Sequence, residues 1–88
     1  MAGPESLITY PSQFPIKVMG RAVPEFAPAM VAIACAHDPD FDAATLQTRA
    51  SRGGAYVGLT LTVTATSRAQ LDALYRALTS HPLVKVVL

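Results

Sequence analysis

Ala55-Tyr56-Val57-Gly58-Leu59-Thr60-Leu61-Thr62-Val63-Thr64-Ala65 decides the fold. Val57, Leu59, Leu61 and Val63 alternate with Gly58, Thr60, Thr62 and Thr64. That period of two puts aliphatic groups on one face of a strand and hydroxyls on the other. A half-buried strand of this length belongs in the middle of an antiparallel sheet. Helices are expected over its aliphatic side, with the threonine side left open.

Just upstream, Ser51-Arg52-Gly53-Gly54 follows a weaker strand pattern, Thr45 to Ala50, and paired glycines between two strands signal a hairpin. In that strand Leu46 and Thr48 are expected inward, Gln47 and Arg49 outward. Just downstream, Ser67-x-x-Gln70 is a capping box at the head of a helix. Leu71, Leu74, Tyr75 and Leu78 form its core stripe, and Asp72 with Arg76 is expected to pair on its solvent side. Pro82 stops that helix, and Leu83-Val84-Lys85-Val86-Val87-Leu88 reads as a last strand.

The N-terminal half repeats the scheme. Residues 1–12 read as a tail and 13–88 as one domain. Phe14, Ile16 and Val18 alternate in a first strand, where pairing is expected to begin after Pro15 and to end at Gly20. Pro24 and Glu25 suit a helix start, and Phe26, Met30, Ile33, Ala34 and His37 recur at helical spacing. Pro28 is discordant, to be met by a small kink or by a start nearer to it. Asp38-Pro39-Asp40 ends the helix.

The order β-α-β-β-α-β defines an α+β ferredoxin-like sandwich, with strand order 4-1-3-2 and two helices on one face.

Composition narrows the function. The chain has 88 residues, enough for one core, and its seven basic against six acidic side chains leave it near neutrality. A nucleic-acid binder usually carries a larger positive excess. One cysteine, Cys35, excludes an intramolecular disulfide and a paired-cysteine zinc site, and a lone thiol suits a reducing cytoplasm. The start lacks the pattern of a secretory signal, and the apolar run from Pro28 to Ala36 is too short for a membrane span. The expectation is a cytoplasmic protein with no cofactor and no membrane contact.

Known chemistries of this topology fit poorly. A metal chaperone needs a cysteine pair near the first loop. An acylphosphatase-like site needs an arginine loop and an asparagine, but Ala27 follows Phe26 and the chain has no asparagine. An RNA-recognition motif is the alternative, since Arg52-Gly53-Gly54-Ala55-Tyr56-Val57-Gly58-Leu59 partly follows its pattern. Gly54 and Leu59 stand where stacking rings belong, and one tyrosine is a poor platform.

Asp38, Asp40 and Asp42 lack the spacing of a calcium loop and read as a solvated helix-end loop. His37 and His81 lie near helix C-termini, where imidazolium is favourable without catalytic duty. Cys35, in an apolar helix, reads as an inert core thiol.

What remains is the open face. Parity points Lys17, Arg49 and Lys85 outward beside Thr60, Thr62 and Thr64, with no acidic side chain among them, and Gly58 leaves a gap. The plain reading is a solvated sheet. The sharper one is a site for a small anionic metabolite or an acidic partner. The last strand is an aliphatic edge with one charge, the kind of edge that proteins cover. A homodimer or protein partner is expected there.

Tyr10-Pro11-Ser12-Gln13-Phe14-Pro15-Ile16-Lys17-Val18-Met19-Gly20 resembles the F-P-x-x-F-x-x-K-V-M-G opening of the YbeD-like family of small bacterial proteins. Pro24-Glu25, the Ser51-Arg52-Gly53 turn, the threonine run into Ala65-Thr66 and the ending Val84-Lys85-Val86-Val87-Leu88 are also similar. Tyr10 replaces the usual phenylalanine, and residues 38–44 depart most. The resemblance implies a ferredoxin-like fold similar to ACT domains, the effector-sensing modules of amino-acid metabolism. It also implies a link with lipoate metabolism, because family members are often encoded beside an octanoyl transferase. By that likeness an effector sits near the loop after the first strand, at Gly20 and Arg21, with Lys17 and Met19 leading in. The implied role is regulatory or interaction-mediating and non-enzymatic.

Overall fold

The computed structural model describes residues 9–88. Four strands, β1 (Ser12–Arg21), β2 (Gln47–Ala50), β3 (Tyr56–Ala65) and β4 (Val84–Val87), form one antiparallel sheet in the order β2-β3-β1-β4. Helices α1 (Phe26–His37) and α2 (Arg68–Thr79) pack on each other and on the sheet. This is the expected βαββαβ sandwich with β1 and β3 central.

The period-two pattern builds the core. Leu59, Leu61, Val63 and Ala65 of β3 are buried together with Ile16 and Val18 of β1. Phe26, Met30 and Ala34 of α1 and Leu71, Leu74 and Leu78 of α2 close over them. The opposite residues of β3, including Thr60, Thr62 and Thr64, remain half-exposed.

Two local readings change and a third is decided. β1 begins at Ser12, and Tyr10 packs against the core, so the domain starts earlier than the tail reading; residues 1–8 of that tail lie outside the described residues. Pro15 does not delay pairing, because it faces Thr62 of β3 in full register. Lys17 exchanges both backbone hydrogen bonds with Leu88, so alternate β1 residues, Pro15 included, turn their N–H side toward β4. β4 pairs no further along β1 than that Lys17–Leu88 contact, and the missing N–H costs nothing. At Pro28 the second alternative holds: α1 starts at Phe26, nearer to it than Pro24, and the third helical position needs no N–H partner.

The outer β2 strand is shorter than expected. A turn of 3-10 helix at Ala43–Thr45, capped by the Asp42 carboxylate, takes up its start, and Gln47–Ala50 are all exposed. Leu46 does pack on the core, but Thr48 does not, because the helices make their main contacts with β3 and β4. In the hairpin Gly54 adopts φ 75°, a conformation that favours glycine, while the Ser51 hydroxyl accepts the Tyr56 N–H at 3.1 Å.

The helix-end loop is solvated as expected at Asp40 and Asp42, but not at Asp38. Asp38 is 2% exposed, and its carboxylate accepts N–H groups from Asp40 at 3.0 Å and Thr64 at 2.8 Å. Gln70 completes this polar knot. It donates to the carbonyls of His37 and Thr64 at 2.8 and 3.0 Å and accepts the Thr66 N–H at 2.6 Å. The end of α1, the end of β3 and the start of α2 are thereby fastened together.

Candidate functional site

The uncovered side of the sheet can be read rung by rung from the strand register. Arg49 of β2 faces Gly58 of β3, which faces Met19 of β1, which faces Val86 of β4. The next rung is Gln47, Thr60, Lys17 and Leu88. Since successive side chains alternate, both rungs project away from the helices. Between them lies an open depression of about 540 Å³, lined by these eight residues and by Val18, Thr48 and Leu59.

Lys17, Met19, Arg49, Gly58 and Thr60, singled out from the sequence, therefore meet in one concavity. Arg21 shares the face one rung further, opposite Tyr56. Lys85 reaches it by a different route. The β1–β4 register shifts between Met19 and Gly20, leaving Lys85 as an extra residue on β4. Such a bulge re-aims its side chain, and the Lys85 Nζ lies 5.9 Å from the centre of the Tyr56 ring. The cations Lys17, Arg21, Arg49 and Lys85 thus share one side of the molecule.

Gly20 is placed differently from the rest. It is buried on the helix side of β1, and a Cβ there would collide with the Phe26 ring and the Leu83 carbonyl. Its missing side chain makes room for the core, so the space expected for an effector is filled. Gly58 is the reverse case. A Cβ at Gly58 would meet only the Arg49 carbonyl oxygen, at an ordinary 3.6 Å.

Among the described residues the charged side chains of the open face are all positive. The described acidic residues, Glu25, Asp38, Asp40, Asp42 and Asp72, lie in the helices, at their ends or in the α1–β2 connection. Among the described residues the ion pair found is Arg68–Asp72 at 3.4 Å, which replaces the expected Asp72–Arg76 pair. Apolar exposure is concentrated here too: Met19, Val86 and Leu88 are 41%, 40% and 74% exposed. The sequence reading missed Val86 and Leu88, and it left Gln47, which it placed outward, out of the site. A signal existed for the first two, because a strand aliphatic at both parities must leave one set outside.

The other titratable groups do not assemble a site. Among the described residues no three His, Cys, Asp or Glu side chains converge. His37 Nδ1 contacts the Ile33 carbonyl at 3.0 Å, and His81 Nδ1 accepts the Leu83 N–H at 3.1 Å. Cys35 is exposed rather than in the core, because α1 is apolar on nearly every side and its buried stripe runs through Phe26, Met30 and Ala34. No helix of the described residues is long and apolar enough to cross a membrane.

Comparison with known proteins agrees with this architecture. The solution structure of protein HP0495 from H. pylori matches 100% of this chain and 97% of that one, with TM-score 0.76 at 11% identity, a likeness of fold. The chain is 60% identical over 84 residues to a UPF0250 protein of Bordetella pertussis, covering 96% of this chain and 92% of that one. A UPF0250 protein of Leptothrix cholodnii is 61% identical over 84 residues, with the same shares covered. For that of Nitrosomonas europaea the identity is 52% over 84 residues, covering 96% and 97%. A family model described as "Protein of unknown function (DUF493)" matches residues 5–88. On that match and those identities, the YbeD-like resemblance holds and the chain belongs to the DUF493 family.

Proposed function

We propose that the protein is a non-enzymatic recognition module of the cytoplasm, holding a small anionic ligand on the open face of its sheet in the manner of an ACT-like sensor. One observation carries the reading: Lys17 and Arg49 line a depression of about 540 Å³, and Arg21 and Lys85 share its face, which has no acidic side chain among the described residues. Unpaired cations left together cost self-repulsion, and an anion relieves it. The concavity falls within the size range of small-molecule pockets.

RNA is a weaker fit to the same face. Single-strand binding rests on stacked rings, and Tyr56 is the one aromatic among the outward residues of the described strands, with Lys85 already over it. A protein contact, with a second copy or another chain, has its own support in the exposed aliphatic edge of β4. The lipoate link implied by the family places lipoyl and octanoyl carboxylates among the first ligands to try.

The test is extraction. The protein is equilibrated with the small-molecule fraction of a bacterial extract, isolated and denatured, and the released compounds are identified by mass spectrometry. An anion enriched on the parent and lost from Lys17→Gln/Arg49→Gln supports the reading. Enrichment unchanged in that variant, or none on the parent, refutes it.

A further inference from the structure

We infer that the depression takes an alkyl carboxylate, with its head at Lys17 and Arg49 and its chain across the floor left by Gly58 toward Met19, Val86 and Leu88. This deepens the anion-binding reading and rests on it.

Three independent observations point to a chain as well as a charge. First, Gly58 is a glycine without a backbone reason. Its φ is not positive, and the space beside it admits a Cβ at ordinary contact distance. Glycine inside a strand weakens it and often marks the close approach of a ligand. Here the absent side chain would rise between Arg49 and Met19, into the depression.

Second, the large hydrophobic side chains exposed among the described residues are Met19, Val86 and Leu88, and all three line this one depression. Scattered apolar exposure needs no explanation, but concentration beside a cation pair does. Third, the trough is long. Arg49 stands on the β2 side and Val86 on the β4 side of one rung, three strand spacings or roughly 14 Å apart. A flexible aliphatic acid has both the reach and the two-ended chemistry for that trough. A compact polyanion such as phosphate would leave the aliphatic end bare.

Amide chemical shifts of the full-length protein, titrated separately with acetate, hexan-1-ol, hexanoate and decanoate, test the inference. Hexanoate is expected to move the amides of Gly58, Thr60 and Met19 and to bind on the order of tenfold more tightly than acetate, with decanoate tighter still, since each methylene that leaves water strengthens binding up to about fourfold. Gly58→Val is expected to keep the dispersed spectrum of the fold while weakening hexanoate about tenfold or more. Lys17→Gln/Arg49→Gln is expected to weaken hexanoate but not hexanol.

Equal affinity for acetate and hexanoate overturns the chain while leaving the anion reading intact. Equal affinity for hexanol and hexanoate removes the charged head and with it the anion reading. Shifts confined to the helices, or a patch closed by self-association and unmoved by any probe, overturn both.

Discussion

Replacing Gly20 with alanine adds a single methyl group, and the structure makes that methyl expensive. A Cβ there would lie 2.5 Å from the Leu83 carbonyl oxygen and nearer still to the Phe26 ring, where carbon contacts ordinarily settle at about 3.5–4 Å. The ring is fully buried in the core with Ile16 and Met30, and close-packed interiors yield little. The carbonyl accepts the Arg21 N–H at 3.0 Å, one of the bonds that hold β4 to β1. Overpacking of this kind costs about 1–3 kcal/mol, and loss of the hydrogen bond adds about 1 kcal/mol. Reduced freedom of the unfolded chain returns about 0.4–1 kcal/mol. The net expectation is a loss of about 1–3.5 kcal/mol, which lowers the melting temperature by roughly 5–25 °C in a domain of this size. Urea unfolding followed by far-ultraviolet circular dichroism measures it. Two controls share the substitution: Gly53→Ala has nothing within 4 Å, and Gly58→Ala meets one atom at 3.6 Å, so both should stay within about 0.5 kcal/mol of the parent or exceed it. A Gly20→Ala midpoint indistinguishable from that of Gly53→Ala would refute the reasoning.

Asp38→Ala should cost about 2–3 kcal/mol by stranding the Thr64 and Asp40 N–H groups, and Asp38→Asn about half as much, because the amide oxygen still accepts one of them; the same urea titration reads both. Burial raises the Tyr75 phenol above the ordinary 10.0, so the unfolded chain ionises first. The stability this contributes is whole below pH 10 and lost as pH climbs through the folded value, a fall in melting temperature that Tyr75→Phe should reduce. Cys35, exposed on α1, should react with an aromatic disulfide reagent in the folded protein about as fast as in urea; strong protection in the native state would contradict its placement.

How much of this was legible beforehand follows from the range of each interaction. The alternation at Val57–Val63 and the spacing of Leu71, Leu74 and Leu78 are local patterns, and they gave the layers and the strand order. Ser67 caps α2 as its motif implies, accepting the Gln70 N–H at 3.0 Å. The Gln70 side chain, however, bonds Thr66 and Thr64 just ahead of the helix and also reaches the carbonyl of His37, a partner set by packing rather than by neighbourhood. The burial of Asp38 was not legible for the same reason, since its partner Thr64 is 26 residues away.

The open face was half legible. Parity within each strand put Lys17, Arg49 and Thr60 outward, but which of them meet depends on the register between strands that are not adjacent in sequence. The bulge opposite Met19 and Gly20, which sends Lys85 over Tyr56 and presents Val86 and Leu88 beside Met19, has no local signature in an aliphatic run. Gly20 and Gly58 look alike in the sequence and differ only in what the fold brings against them.

Relaxation of the amide protons by two soluble nitroxides, one carrying a carboxylate and one neutral but otherwise alike, probes the charged face most directly. Excess relaxation by the anionic probe should centre on Lys17, Met19, Gly58 and Thr60, spare the exposed face of α2, and fade with added salt and in Lys17→Gln/Arg49→Gln. An excess spread evenly over sheet and helices, or unaltered by that double substitution, would contradict a sheet face built to gather anions.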